Sequence, residues 1–161
     1  MIEFAPYELS VSGGTLALSP MPGRTRHYYT DWLRLLDWRP DHVITMTSIS
    51  ELERKGAGTL GQDLATAGIG WSHVPVVDFS TPDAVAEALW PVAETAACRV
   101  LNGGGKVLVH CYGGCGRSGM AVLRIMIASG EDGAAALERL RTVRPCAIET
   151  DAQMRWALAG V

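Results

Sequence analysis

The sequence predicts an α/β fold with a central, mostly parallel sheet flanked by helices, and three observations predict it. Short apolar runs alternate with helical patterns through the first two thirds of the chain. The run "KVLVHC" (106–111) is short with an unbroken aliphatic centre, Val107 to Val109, which suits a parallel strand buried on both faces. Three helical patterns, "SGMAVLRIMIAS", "DGAAALERLRTV" and "DAQMRWALAG", then finish the chain.

The elements follow in order. "LALSPMPG" reads as a strand running into Pro/Gly turn chemistry. "DWLRLLDW" carries apolar residues at helical spacing, and Pro40 stops it. "HVITMTS" is a strand, and "SELERKG" is a short helix with Gly56 beyond its end. "GQDLATAGIG" is a second short helix closed by glycines; "WSHVPVV" is the next strand. The long pattern from Thr81 to Gly105 opens with Thr81 as the expected N-cap and Pro82 at the first helical position. Pro91 should kink that helix or shorten its start.

With 161 residues, the chain fits one domain, 1–161, large enough to bury roughly 70% of its unfolded surface. Hydrophobic residues at 48% and charged residues at 19% are ordinary for a packed globular protein. A net charge of -3 leaves no electrostatic footprint for nucleic acid. No run reaches the ~18 apolar residues of a membrane span, and "MIEFAPYELS" has neither basic flank nor secretory core. The expectation is a soluble, cytoplasmic protein, with no signal for oligomeric state. The four cysteines, Cys98, Cys111, Cys115 and Cys146, are too sparse for a disulfide scaffold. Cys111 and Cys115 have no second pair at zinc-finger spacing, so neither a metal nor another cofactor is expected.

The stretch "HCYGGCGRS" (110–118) joins a strand to a helix and admits three readings. "GCGRSG" matches the dinucleotide fingerprint, but helix follows helix after it, where a strand–helix–strand unit is required. A nucleotide phosphate loop needs Gly where Cys111 stands and Lys where Arg117 stands. The third reading is a nucleophilic cysteine in an anion cradle. Cys111 ends a buried strand and faces the N-terminus of the next helix, where free N–H groups and the macrodipole stabilise negative charge. Gly113, Gly114 and Gly116 let loop amides point inward, and Arg117 returns a planar fork to two oxygens of the bound anion.

The pattern H-C-x-x-G-x-x-R-[ST], met throughout from His110 to Ser118, resembles the signature of the cysteine-dependent protein tyrosine and dual-specificity phosphatases. The loop is closest in look to the cyclin-dependent-kinase-associated branch. "SPMPG", "VPVVDFSTPD" and "AIETDAQ" resemble that branch in the same order, so the likeness covers most of the chain. It implies a compact dual-specificity-phosphatase-like fold, with catalysis through a phosphocysteine at Cys111. It also implies phosphate held by Arg117 and the loop Tyr112, Gly113, Gly114, Cys115 and Gly116.

The resemblance puts the general acid at Asp78. That residue lies past a strand's C-terminal end, on the sheet edge where Cys111 lies and where open α/β sheets bind ligands. Asp83 is the rival carboxylate, but a first-turn position suits an acid for structural reasons. Ser118 is placed to donate to the thiolate, a role compatible with satisfying the helix start. His110 is expected to orient the loop and not to act as base. His27, His42 and His73 have no ligand spacing and are expected to be surface or packed residues. Gln153 resembles one of two family glutamines that position hydrolytic water, while Glu149 stands where the other is expected. Tyr112 and Phe79 are candidates for the pocket wall or for packing. Arg24 and Arg26 are expected in a solvated loop.

The combined expectation is a metal-independent protein phosphatase acting on phosphotyrosine, and beside it phosphoserine or phosphothreonine, with a phosphorylated protein or peptide as its partner. The loop interior has no Lys, which disfavours a highly charged polyphosphate. Two alternatives stay open: a phosphate-binding module that does not turn over, and a thiol-based oxyanion or redox enzyme using Cys111 and Cys115. Cys115 is also a candidate resolving cysteine for an oxidised Cys111, with Cys98 or Cys146 as other partners.

Overall fold

The computed structural model describes residues 3–160, and Met1, Ile2 and Val161 lie outside it. Its order is β1 (Tyr7–Val11), β2 (Gly14–Ser19), α1 (Tyr28–Trp38), β3 (His42–Thr45), α2 (Ile49–Arg54), α3 (Leu60–Thr66) and β4 (Gly70–His73). Then come α4 (Ala84–Asn102), β5 (Lys106–His110), α5 (Gly116–Ala128), α6 (Gly133–Val143) and α7 (Asp151–Leu158).

The sheet runs β1-β2-β5-β3-β4, and β2, β5, β3 and β4 are parallel as the sequence predicts. The strand that sequence reading missed is β1, an antiparallel edge hairpinned to β2 through Ser12 and Gly13, both at positive φ. "YELSV" interleaves polar residues because one face of an edge strand meets solvent, so it lacks a strong apolar signature.

Period-2 geometry sorts the strand residues into two cores. Leu16, Leu18, Ile44, Val107 and Val109 pack with α4, α5, α6 and α7, while Ala17, Val43 and Leu108 pack with α1, α2 and α3. β5 sits between β2 and β3, which puts its C-terminal end at the centre of the sheet edge. Edge-to-face packing of Trp90 on Trp156, with centroids 5.1 Å apart, fastens α4 to α7.

Several expected boundaries move. Asp83, not Thr81, caps α4 by accepting from the Ala86 amide at 2.9 Å, and Pro82 lies outside the helix. A free carboxylate two residues after Thr81 is the stronger cap acceptor. α4 also runs through Pro91, which is exposed, so water reaches the backbone group left without a partner. β4 ends at His73, because "VPVV" follows β3 through only alternate bonds, Val74 N to Thr45 O and Val76 N to Met46 O. α5 starts at Gly116, two residues early, which places Arg117 and Ser118 in its first turn.

Candidate active site

Cys111 follows β5 directly, is 3% exposed, and has its Sγ 3.2 Å from Ser118 Oγ. The loop from Cys111 to Cys115 climbs from the strand to α5, whose first-turn amides have no intrahelical partner. Gly114 is needed twice over. Its φ is +73°, and a Cβ there would lie 2.6 Å from the Pro20 nitrogen. The loop thus rests on the Ser19–Pro20 backbone, and Met21 N donates to Tyr112 O at 3.1 Å. The "SPMPG" stretch is a floor for the loop.

His110 is fully buried between Thr45 Oγ1, 2.8 Å from Nε2, and the Cys111 carbonyl, 3.3 Å from Nδ1. Burial pushes its pKa down to about 4, so the ring is neutral. A carbonyl only accepts, so Nδ1 carries the proton, and Nε2 then accepts from the Thr45 hydroxyl. Trp71 Nε1 donates to the same hydroxyl at 2.8 Å, which completes the chain of bonds. The ring therefore fixes the backbone beneath Cys111. The other histidines lie elsewhere: His42 bonds Ser72, His73 bonds the Thr47 carbonyl, and His27 is exposed.

Arg117 is 1% exposed, so its five N–H groups depend on partners inside the protein. Nη1 donates to Glu51 Oε2 and to Val76 O, each at 2.9 Å, and Nη2 donates to Glu51 Oε1 at 3.0 Å. Asp78 Oδ1 lies 3.5 Å from Nη2. Nε is buried with no partner. The end-on edge of the guanidinium is therefore taken by Glu51, and only the edge formed by Nε and Nη2 is left for an anion. Burial opposes charge on Arg117, but the Glu51 bonds and then the charge of Cys111 raise its pKa. Burial likewise pushes the Glu51 carboxyl up, and bonds from Arg117 and the Ser48 amide outweigh it and hold it below its usual range.

Sequence reading missed Glu51. Its signal was the capping box Ser48-x-x-Glu51, hidden by starting the helix one residue late at Ser50 and so leaving the Ser48 cap unread. Arg144 was missed as well: its Nε donates to Gly114 O at 3.0 Å and its Nη2 to Gly113 O at 2.9 Å. Holding these carbonyls outward turns the neighbouring amides inward, and no local motif marks such a residue.

Asp78 lies in the loop after β4, half-exposed, with Oδ1 accepting from the Phe79 amide at 3.0 Å. Phe79 adopts φ +61° and is 60% exposed, outside the groove that begins here. That groove, about 590 Å³, is lined by Glu51, Val76, Asp78, Asp83 and Tyr112 among others. Tyr112 is thus the aromatic of its wall. Arg24 does not sit in free solvent: its guanidinium lies 5.0 Å from the Tyr112 ring centre. Arg26 is exposed.

Gln153 is fully buried; Oε1 accepts from the Glu149 amide at 2.9 Å and Nε2 donates to Ser80 O at 3.1 Å. It ties the Asp78 loop to the start of α7. A Cβ on Gly116 would collide with the Glu149 and Gln153 side chains, so both pack against the start of α5.

Cys115 is bonded to Cys146, with Cα atoms 5.2 Å apart, while Cys98 and Cys111 are free. A Cys111–Cys115 pair is not formed, and Cys115 is unavailable as an immediate resolving thiol. The reason is tertiary: the 144–148 loop docks on the start of α5, with Ile148 N donating to Cys115 O at 3.1 Å. Among the described residues no cluster of three or more His, Cys, Asp or Glu could hold a metal ion, and no helix is long and apolar enough to cross a membrane.

The family described as "Polymorphic toxin system, DSP-PTPase phosphatase" matches residues 22–131. The chain belongs to the dual-specificity phosphatase family. Within that family it is similar to cyclin-dependent kinase inhibitor 3 of Mus musculus, 36% identical over 135 residues. The match covers 80% of this chain and 63% of that protein, so the chain spans less than two thirds of the relative's length. Among solved structures, kinase associated phosphatase superposes with TM-score 0.80 at 24% identity, covering 97% of this chain and 92% of the other. The active form of Tk-PTP gives 0.73 at 26% identity, covering 96% and 95%. The fold of these dual-specificity-type phosphatases is thereby shown for this chain.

Proposed function

We propose that this dual-specificity phosphatase hydrolyses phosphotyrosine in proteins, and phosphoserine or phosphothreonine beside it, through a phosphocysteine at Cys111. The observation that carries the reading is the buried, unpartnered Nε of Arg117, in the first turn of the helix that Cys111 faces. A buried donor without a partner is costly, and a bound phosphoryl oxygen would satisfy it.

In the first step, the Cys111 thiolate attacks phosphorus, the bond to the leaving oxygen breaks, and Asp78 gives that oxygen its proton. Arg117 Nε and Nη2, with the amides of Tyr112 to Arg117, hold the three equatorial oxygens as charge spreads over them. In the second step, water attacks phosphorus, Asp78 takes back a proton, and the S–P bond breaks. Ser118 donates to the departing thiolate across the 3.2 Å contact. No step calls on a metal. The 3.5 Å separation of Asp78 from Arg117 Nη2 supports the acid role, since it sets the carboxyl beside the phosphoryl site.

The test is phosphate release from p-nitrophenyl phosphate and phosphopeptides in the presence of chelator. Wild type is expected to turn over, Cys111→Ser to bind phosphopeptide without turnover, and Arg117→Ala to lose both. Turnover by Cys111→Ser above trace level ends the phosphocysteine mechanism.

A further inference from the structure

The groove beside the phosphate loop holds its charges unevenly. Its three carboxylates have partners: Glu51 is held by Arg117, Asp78 sits beside Arg117 and accepts from Phe79, and Asp83 caps α4. The cations do not. Arg54 and Lys55 line the groove with Tyr112, and among the described residues neither forms a salt bridge. The side chain of Arg54 makes one hydrogen bond, from Nε to the Ser50 carbonyl at 3.3 Å.

Arg24 and Lys55 gather on the same phenol, 5.0 and 5.9 Å from the Tyr112 ring centre. Arg24 Nη1 is buried with no hydrogen-bond partner. The turn that presents Arg24 is held in place, with Gly23 N donating to buried Asp31 at 2.7 Å and Arg24 N to Met21 O at 3.0 Å. An unmet buried guanidinium donor is costly, and an anion bound there relieves it.

We propose that Arg24 and Lys55 at the Tyr112 ring, with Arg54 along the same groove, form a subsite for a second anionic group on the substrate, so that the enzyme selects acidic phosphopeptides. The proposal rests on the phosphatase reading and adds the substrate class. Tyr112 directly follows Cys111, so the two anion sites adjoin and one substrate spans them. The rest of the groove suits a peptide: Pro75, Val76 and Val77 give it an apolar wall within about 590 Å³. The acid beside the phosphoresidue is Glu, Asp or another phosphoresidue, each a partner for a guanidinium fork.

Fluorescence anisotropy on the Cys111→Ser protein tests this, with labelled phosphotyrosine peptides whose flanks are neutral, glutamate-bearing or doubly phosphorylated. The acidic peptides are expected to bind about tenfold tighter or better, with the gap shrinking as salt rises. In the Arg24→Gln/Arg54→Gln/Lys55→Gln background the preference should fall to about twofold or less. Equal affinities in the parent overturn the proposal, as does an undiminished preference in the triple variant. Tighter binding of a soluble inositol bisphosphate than of every peptide overturns the peptide assignment. If the peptide preference is present while wild type releases no phosphate from p-nitrophenyl phosphate, the subsite stands and the phosphatase reading falls.

Discussion

Glu51 grips the end of the Arg117 guanidinium, Oε2 2.9 Å from Nη1 and Oε1 3.0 Å from Nη2. The same carboxylate closes the capping box at Ser48, accepting from its amide at 2.9 Å. A helix start and the buried Arg117 are therefore held by one side chain. Under the proposed mechanism Glu51 aims the Nε/Nη2 edge at the phosphoryl group without touching it.

Glu51→Ala removes the cap and strands a buried guanidinium. It should cost about 3 kcal/mol of stability, read from urea melts, and lower kcat/KM on aryl phosphate ~10²-fold. Glu51→Gln keeps the box geometry and one bond to Arg117, so its losses should be smaller in both assays. Parent-like melting and kinetics in Glu51→Ala would leave Arg117 without a need for this buttress.

Asp78 and Asp83 both line the groove, but Asp83 is committed to the Ala86 amide. Asp78→Asn should remove the alkaline fall of the rate profile and slow tyrosine phosphate ~10²-fold, with an activated aryl phosphate much less affected. Asp83→Asn preserves an N-cap side chain and should leave profile and stability near the parent. An alkaline limb lost in Asp83→Asn and kept in Asp78→Asn transfers the acid role.

His110 predicts a pH dependence of stability. Its folded pKa is about 4 against an ordinary 6.5, so between these values the unfolded chain binds a proton that the folded chain does not. Stability from this group is thus complete above pH ~6.5 and drains away as pH falls toward 4, by up to roughly 3 kcal/mol. Urea midpoints across that window should show the slope, and His110→Asn should flatten it. An equal slope in both proteins assigns it to other groups.

The Cys115–Cys146 link closes 31 residues between the phosphate loop and the chain before α7. Loop entropy puts its contribution at roughly 3–4 kcal/mol. Cys146 is exposed, so dithiothreitol should open the bond and lower the urea midpoint, and Cys146→Ser should melt low with or without it. Activity should survive, because Arg144 and the Ile148 amide still hold the loop. A midpoint unmoved after thiol titration confirms opening would remove the link from the stability account.

Legibility in the sequence followed the range of the physics. The run 106–111, the glycine loop and three closing helices were readable because burial pattern, φ requirements and helix periodicity act over a few residues. The same locality gave the parallel sheet and the Cys111–Ser118 spacing. Edge strand β1 and the stop at His73 were not readable, since pairing with β2 or β3, and not composition, decides them.

The remainder of the site was settled by contacts between distant segments. Arg117 and Glu51 are 66 residues apart, Arg144 and Gly114 30, and Cys115 and Cys146 31. In each case the residue types announce charge or thiol chemistry, and only the packing of loops on the sheet edge chooses the partner. The sequence by itself determined which side chains could carry a phosphoryl group. The tertiary structure decided which edge of Arg117 is free to hold it and which cysteine is taken, because Coulomb attraction, hydrogen bonding and disulfide closure require proximity that sequence distance does not reveal.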